Sequence, residues 1–178
     1  MSEFIGQKFG KWEGEERPLF LAPMSGVTDL PFRLLAKECG ADVTITEFTN
    51  STALSRAATA SWRKMESHET EVPFIPQIFG GDAKDMVTAA EMLAPNSGVI
   101  DLNFGCPVPK VTRHGGGGAL PYKRQLFRDI IRSAISSADG HVPVTVKFRM
   151  GIDDTHLTFL DAGKIAEEEG ASGITLHA

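Results

Sequence analysis

The chain has 178 residues, 42% hydrophobic and 23% charged, which allows one domain with a sizeable core and excludes a disordered or fibrous protein. It has no apolar run near the roughly 18 residues of a membrane span, and its polar N-terminus is unlike a secretory signal. The net charge of −5 argues against a generally basic surface, and Cys39 and Cys106 form no metal or disulfide pattern. We therefore expect a cytoplasmic protein with free thiols and no metal.

Short apolar, β-branched segments alternate with helical patterns along the chain. The six predicted strands are Leu19–Pro23, Asp42–Glu47, Phe74–Phe79, Val99–Asn103, Val142–Phe148 and Gly173–His177. The predicted helices are Pro31–Cys39, Asp82–Leu93, Gln125–Ser137 and Thr158–Glu169. Glycines at positions 40, 98 and 170 are placed to end helices just before strands. The pattern predicts a parallel β/α protein, and periodicity alone leaves a barrel and a doubly wound sheet both open.

Polar residues stand at the carboxyl ends of these otherwise apolar strands. Gln77, Asn103, Lys147, Arg149 and His177 occupy such positions, where burial without a partner would be costly. In a parallel β/α barrel, active-site groups lie at this end of the sheet. The pattern therefore predicts a polar ligand at the strand ends.

Three segments together resemble the tRNA-dihydrouridine synthase family. The run from Leu21 to Arg33, LAPMSGVTDLPFR, is similar to the opening motif of that family. The run DLNFGCP at 101–107, followed by Lys110-Val111 and the glycines 115–118, is similar to its cysteine motif. The run PVTVKFR at 143–149 resembles its lysine strand. The match extends from about Leu19 to the last residue, with the motifs in family order.

The resemblance implies a TIM (β/α)8 barrel, truncated here after about six strands. Residues 1–18 would be an N-terminal extension, and 19–178 the N-terminal portion of an FMN-binding catalytic domain. The family's last two strands and its C-terminal helical tRNA-binding domain would be absent. We expect the isolated fragment to be inactive and to bind FMN poorly, because an open arc exposes sheet edges.

The resemblance also implies a role for individual residues. Cys106 would be the general acid, protonating C5 of a tRNA uridine while reduced FMN delivers hydride to C6. The electron donor that reduces FMN would be NAD(P)H, that is, NADH or NADPH. The implied FMN-binding residues are Pro23, Met24, Ser25, Gln77, Lys147 and His177. Asn103 and Arg149 would contact the uracil. A buried structural thiol is the alternative for Cys106, and Glu47 could anchor a loop instead of touching a ligand.

A locally basic stretch follows the cysteine motif. Its cations are Lys110, Arg113, Lys123, Arg124, Arg128 and Arg132. We hypothesise that it grips the RNA backbone beside the target base, which must be turned out of the tRNA fold. The alternative is an ordinary solvated helix face. The glycines 115–118 could cradle a phosphate, but a flexible lid beside Cys106 is the favoured interpretation.

Two other functions fit parts of the sequence. One is an FMN barrel acting on a free pyrimidine, like a dihydroorotate dehydrogenase, in which the group after the strand removes a proton. The other is a non-catalytic RNA-binding fragment that uses the basic stretch. The opening motif, Gln77 and Lys110-Val111 favour the tRNA enzyme.

Overall fold

A computed structural model describes residues 18–112, 116–138 and 142–178. Its strands are β1 Phe20–Leu21, β2 Val43–Thr44, β3 Thr49–Asn50, β4 Gln77–Phe79, β5 Ile100–Phe104, β6 Val144–Arg149 and β7 Gly173–His177. Its helices are α1 Leu30–Glu38, α2 Ser51–Ser55, α3 Thr59–Arg63, α4 Ala83–Leu93, α5 Pro109–Thr112, α6 Arg124–Ser137 and α7 Phe159–Glu168. Two 3-10 turns cover Ala94–Asn96 and Gly117–Tyr122. Apart from Pro18, the predicted extension 1–18 lies outside the described residues.

The strands form parallel sheets in which neighbours along the chain are neighbours in space. One sheet pairs β1 with β2, and the other has the order β3-β4-β5-β6-β7. Every strand pair is parallel. The predicted parallel β/α architecture is therefore confirmed. Within the described ranges the two sheets remain open and do not close into a barrel.

The second predicted strand, Asp42–Glu47, is wrong in its extent. Only Val43–Thr44 pairs with β1, and a separate pair of residues, Thr49–Asn50, pairs with β4. Between them a side chain replaces part of the ladder, because the Thr46 hydroxyl accepts the backbone N–H of Gln77 at 2.9 Å. The backbone N–H of Thr46 in turn donates to the carbonyl of Ile75. This bridge joins the two sheets without a continuous strand.

The core lies between the larger sheet and its helices. Ile78, Leu102 and Val146 are fully buried on the helix side of β4, β5 and β6. Phe104 meets Phe127 of α6 edge to face, with ring centroids 4.7 Å apart. Because side chains alternate along a strand, burying these residues turns the intervening polar ones to the opposite face. In a closed barrel that opposite face would line the lumen, so we call it the lumen face.

Two of the three predicted glycine stops are confirmed. Gly40 and Gly170 follow α1 and α7 with φ of +99° and +87°, a conformation that glycine adopts without strain. The third is wrong: α4 ends at Leu93 and a 3-10 turn follows. Gly98 instead allows close packing, since a Cβ there would lie 2.4 Å from Cβ of Pro73.

A buried ion pair holds the first α-helix to the chain that precedes β4. Arg33 of α1 donates from Nε to Glu71 at 2.7 Å, and both side chains are 1% exposed. Arg33 also donates to the carbonyls of Thr28 and Glu66, and the Thr44 hydroxyl donates to Glu71. Besides each other, the polar atoms of this pair therefore have partners on further residues, among them Thr28, Thr44 and Glu66, as a buried charge requires.

The arginines of the predicted basic stretch are paired with acids. Arg124 contacts Asp161, Arg128 contacts Glu168 and Glu169, and Arg132 contacts Glu169. These contacts join α6 to α7 and neutralise the positive charge of α6. They favour the alternative of an ordinary helix face over a surface that grips RNA. Arg113 lies outside the described residues.

None of the helices in the described ranges is long and apolar enough to cross a lipid bilayer.

Candidate functional site

A hydrogen-bonded polar network crosses the lumen face of three neighbouring strands. Gln77 on β4 donates from Nε2 to Oδ2 of Asp101 at 2.6 Å. Asn103 donates from Nδ2 to Oε1 of Gln77 at 2.9 Å, and the Thr145 hydroxyl donates to Oδ1 of Asp101 at 2.5 Å. All four side chains are at least nine-tenths buried. Strand register brings them together, since Gln77, Asp101 and Thr145 are direct cross-strand partners.

Asp101 is the ionisable residue of this network. Burial raises the pKa of Asp101 above its ordinary value, while the hydrogen bonds from Gln77 and Thr145 act in the opposite direction. The positive charge of Lys147 also favours the ionised carboxylate. The buried acid is thus supported by two donors and one nearby cation.

Lys147 is a half-buried cation beside this network. It is the cross-strand partner of Asn103 on β5 and faces the same side of the sheet. Burial lowers the pKa of Lys147, and the Asp101 carboxylate partly offsets that effect. Within the described residues its ammonium group has no direct hydrogen bond or ion pair. An unpaired, partly desolvated ammonium is suited to a ligand that presents acceptors or negative charge.

The loop that carries Cys106 is fixed from both sides. The backbone N–H of Gly105 donates to Oδ1 of Asn103 at 3.0 Å. Arg149, at the end of β6, donates from Nε to the carbonyl of Gly105 at 2.7 Å. Asn103 and Arg149, both predicted to contact substrate, therefore also hold the residue directly before the cysteine.

Cys106 itself is 5% exposed and is covered by the glycine turn. Its carbonyl accepts the backbone N–H of Gly118 at 2.9 Å. Gly117 adopts a φ of +58°, and a Cβ on it would lie 2.5 Å from the carbonyl oxygen of Cys106. The part of the predicted lid that is described, Gly116 to Gly118, does lie beside the cysteine, as a buried turn.

Substituting Gly117 by alanine is expected to destabilise the protein more than the same change at Gly26. Both residues have positive φ, which costs an alanine about 1–2 kcal/mol. Only at position 117 does the new methyl group meet an atom, the carbonyl of Cys106. Urea unfolding should show an additional loss of about 1 kcal/mol or more for Gly117→Ala. Equal losses for the two variants would contradict this packing.

A pocket of about 590 Å³ opens beyond the carboxyl ends of β5, β6 and β7. Its wall combines Pro107, the last residue of the cysteine motif, and Gly118 and Ala119 of the glycine turn with Arg149 and His177. Arg149 and His177 are cross-strand partners. Partial burial and the charges of Lys147 and Arg149 lower the pKa of His177, which favours a neutral imidazole.

The opening motif forms an anchored loop on the other sheet. The backbone N–H of Met24 donates to the Thr28 hydroxyl at 2.9 Å, and the N–H of Gly26 donates to the Glu47 carboxylate. Met24 and Ser25 are exposed and Pro23 is half-buried. Glu47 therefore anchors a loop, which is the alternative that the sequence left open for it.

The structure gathers several of the predicted residues into one site. Gln77, Asn103 and Lys147 share the lumen face, and Arg149 and His177 line the adjoining pocket. Pro23, Met24 and Ser25 lie in the opening loop, which follows β1 of the smaller sheet. Glu47 binds this loop through Gly26, and the neighbouring Thr46 binds β4 through Gln77. Sequence reasoning gave no role to Asp101 or Thr145. The signal was available, because both stand two residues before a predicted site residue and so share its face.

The fold and the site together define a parallel β/α protein with a polar network on its strands, an adjoining pocket at the strand ends and a buried cysteine in the loop after β5. Comparison with known proteins makes the class specific, because residues 20–178 match the family described as Dihydrouridine synthase (Dus). The chain belongs to that family.

Curated relatives have related names. The chain is 43% identical over 171 residues to a "Probable tRNA-dihydrouridine synthase" of Mycobacterium tuberculosis, which covers 90% of this chain and 44% of the relative. It is 38% identical over 161 residues to "tRNA-dihydrouridine synthase B" of Pseudomonas putida, covering 89% and 47%. The chain thus spans about half the length of these relatives.

Proposed function

We propose that this chain is the part of a tRNA-dihydrouridine synthase that holds FMN and supplies the proton for reduction of uridine. Family membership and the names of the relatives support the reaction class. The single observation that carries the assignment here is the buried Cys106 loop, fixed beside a polar strand-end face by Asn103 and Arg149. The parallel strands in sequential order are also what the first part of a (β/α)8 barrel would contain.

The residues on the lumen face fit a flavin. Lys147 offers an unpaired ammonium, and the amide nitrogen of Gln77 retains one N–H beyond its bond to Asp101. We propose that these two groups bind the polar edge of the isoalloxazine ring, with Pro23, Met24 and Ser25 contributing from the opening loop. His177, at the pocket wall, would bind the cofactor near its phosphate.

The chemistry that this chain contributes is binding, orientation and proton delivery. Bound FMN, reduced by NAD(P)H, would supply the hydride that adds to C6 of the uracil. Asn103 and Arg149 would orient the uracil at the strand ends. Cys106 would hold a proton on Sγ and deliver it to C5 as a general acid, a role that requires the neutral thiol.

Replacing Lys147 with methionine is expected to weaken FMN binding by roughly tenfold or more, because a charge-assisted contact is lost. The variant should not lower the stability of the flavin-free protein, since the ammonium is already penalised by burial. Flavin fluorescence titration of the deflavinated full-length protein measures the affinity. Lys164→Met, at an exposed position of α7, is the matched control and should bind FMN as the parent does. Equal affinities for the Lys147 and Lys164 variants would contradict the proposed contact.

The proposed function is tested by mass spectrometry of tRNA nucleosides from cells with and without the intact gene. Loss of dihydrouridine from the tRNA, restored by the gene, is the expected result. An unchanged dihydrouridine content would contradict it. The competing free-pyrimidine activity has its own readout, because purified full-length protein would then oxidise dihydroorotate and leave tRNA unmodified.

A further inference from the structure

Asp101 is a buried carboxyl group of the site that the proposed chemistry does not use. Its side chain lies on the lumen face of the sheet and is 2% exposed. One carboxylate oxygen accepts the Gln77 amide nitrogen at 2.6 Å and the other accepts the Thr145 hydroxyl at 2.5 Å. The amide nitrogen of Gln77 can only donate, so the carboxyl oxygen of Asp101 that it meets is the acceptor that holds this end of the amide toward Asp101.

The orientation of Gln77 in turn determines that of Asn103. With its nitrogen on Asp101, Gln77 presents Oε1 to the amide nitrogen of Asn103 at 2.9 Å. This leaves Oδ1 of Asn103 free to accept the backbone N–H of Gly105 at 3.0 Å. Turning the Gln77 amide over would place two amide nitrogens against each other. The three hydrogen bonds are consequently mutually dependent, and the last of them ends one residue before Cys106.

We propose that Asp101 is a positioning residue for Cys106, acting through Gln77 and Asn103 to fix the backbone that carries the thiol. The catalytic consequence rests on the proposed function. The mechanical link between Asp101 and the cysteine loop can be measured independently of it. Thr145 offers a control, because it bonds to the other oxygen of Asp101 and is not part of the path to Gly105.

The test is the rate at which iodoacetamide alkylates Cys106 in the full-length protein, followed by peptide mass mapping in a Cys39→Ser background. Asp101→Leu should raise that rate about tenfold, because losing one buried hydrogen bond loosens the loop. It should also lower kcat. Asp101→Asn should stay within about twofold of the parent in the alkylation rate, because its oxygen still accepts from Gln77 while the Thr145 hydroxyl turns to accept from the new amide.

Thr145→Val separates positioning from general destabilisation. It should lower the unfolding free energy yet leave the alkylation rate of Cys106 unchanged. A parental rate in Asp101→Leu, or an equal increase in Thr145→Val, would overturn the proposal. If Asp101→Leu does not fold, Asn103→Ala is used instead, because it breaks the last hydrogen bond between Asp101 and the cysteine loop. An unchanged alkylation rate of Cys106 in that variant would also overturn the proposal. If the parent forms no dihydrouridine, the proposed function fails while the alkylation comparison still decides the positioning role.

Discussion

Replacing Cys106 with alanine in the full-length protein is expected to reduce dihydrouridine formation by about 10²–10⁴-fold, the usual contribution of a general acid. The thiol follows β5 directly and lies beside the polar residues that we propose to hold the cofactor and the uracil. Removing it leaves those binding residues in place. We therefore expect the loss mainly in kcat, with tRNA affinity and FMN content near the parental values. The assay is mass spectrometry of nucleosides from tRNA incubated with NADPH and the purified protein.

Cys39→Ser is the matched control for that experiment. Cys39 follows α1, is exposed, and lies outside the site. Its variant should retain parental turnover. Reduction of FMN by NADPH should be the same in both variants, because that half of the cycle needs no proton from Cys106. Parental turnover by Cys106→Ala would leave the cysteine as a buried structural thiol, the alternative that its 5% exposure also allows.

Arg33→Met is expected to produce the largest loss of stability among the substitutions considered, about 3–5 kcal/mol. The substitution leaves the Glu71 carboxylate buried without its cation, and it also removes the donors to the carbonyls of Thr28 and Glu66. Urea unfolding followed by circular dichroism measures the loss. The double variant Arg33→Met/Glu71→Leu should recover part of it, since neither charge then remains buried.

Arg124→Gln provides the comparison with an exposed ion pair. Arg124 and Asp161 are 69% and 47% exposed, so water and salt screen their attraction. The expected loss of stability is below about 1 kcal/mol. Similar losses of unfolding free energy for Arg33→Met and Arg124→Gln would show that burial does not make the Arg33–Glu71 pair more stabilising than an exposed pair.

The long, periodic elements of the fold were predictable from the sequence. Helices α4 and α6 begin within one residue of their predicted starts, and Asp82 caps α4 by accepting two backbone N–H groups. The predicted strand Asp42–Glu47 was wrong because a threonine hydroxyl takes over a ladder position, which no hydrophobic pattern encodes. The helix stop assigned to Gly98 was wrong for a similar reason. Gly98 allows close tertiary packing against Pro73, which the local sequence does not reveal.

The candidate site was predictable as a set of positions but not as a set of contacts. Alternation along β5 and β6 places Asn103 and Lys147 on one face, and strand register then makes them neighbours. The bonds that join Gln77 to Asp101 depend on the relative register of two strands, which the sequence does not state. The α6 arginines show the same limit, because their acidic partners come from α7, about forty positions later in the chain.

The most direct measurement is a single turnover under anaerobic conditions. Full-length protein, reduced in advance and freed of NADPH, is mixed with unmodified tRNA, and oxidation of the flavin is followed by absorbance. With Cys106 present, flavin oxidation should match the appearance of dihydrouridine, and with Cys106→Ala both should slow together by the same large factor. If the alanine variant oxidises its flavin and forms dihydrouridine as fast as the parent, Cys106 is not the proton donor.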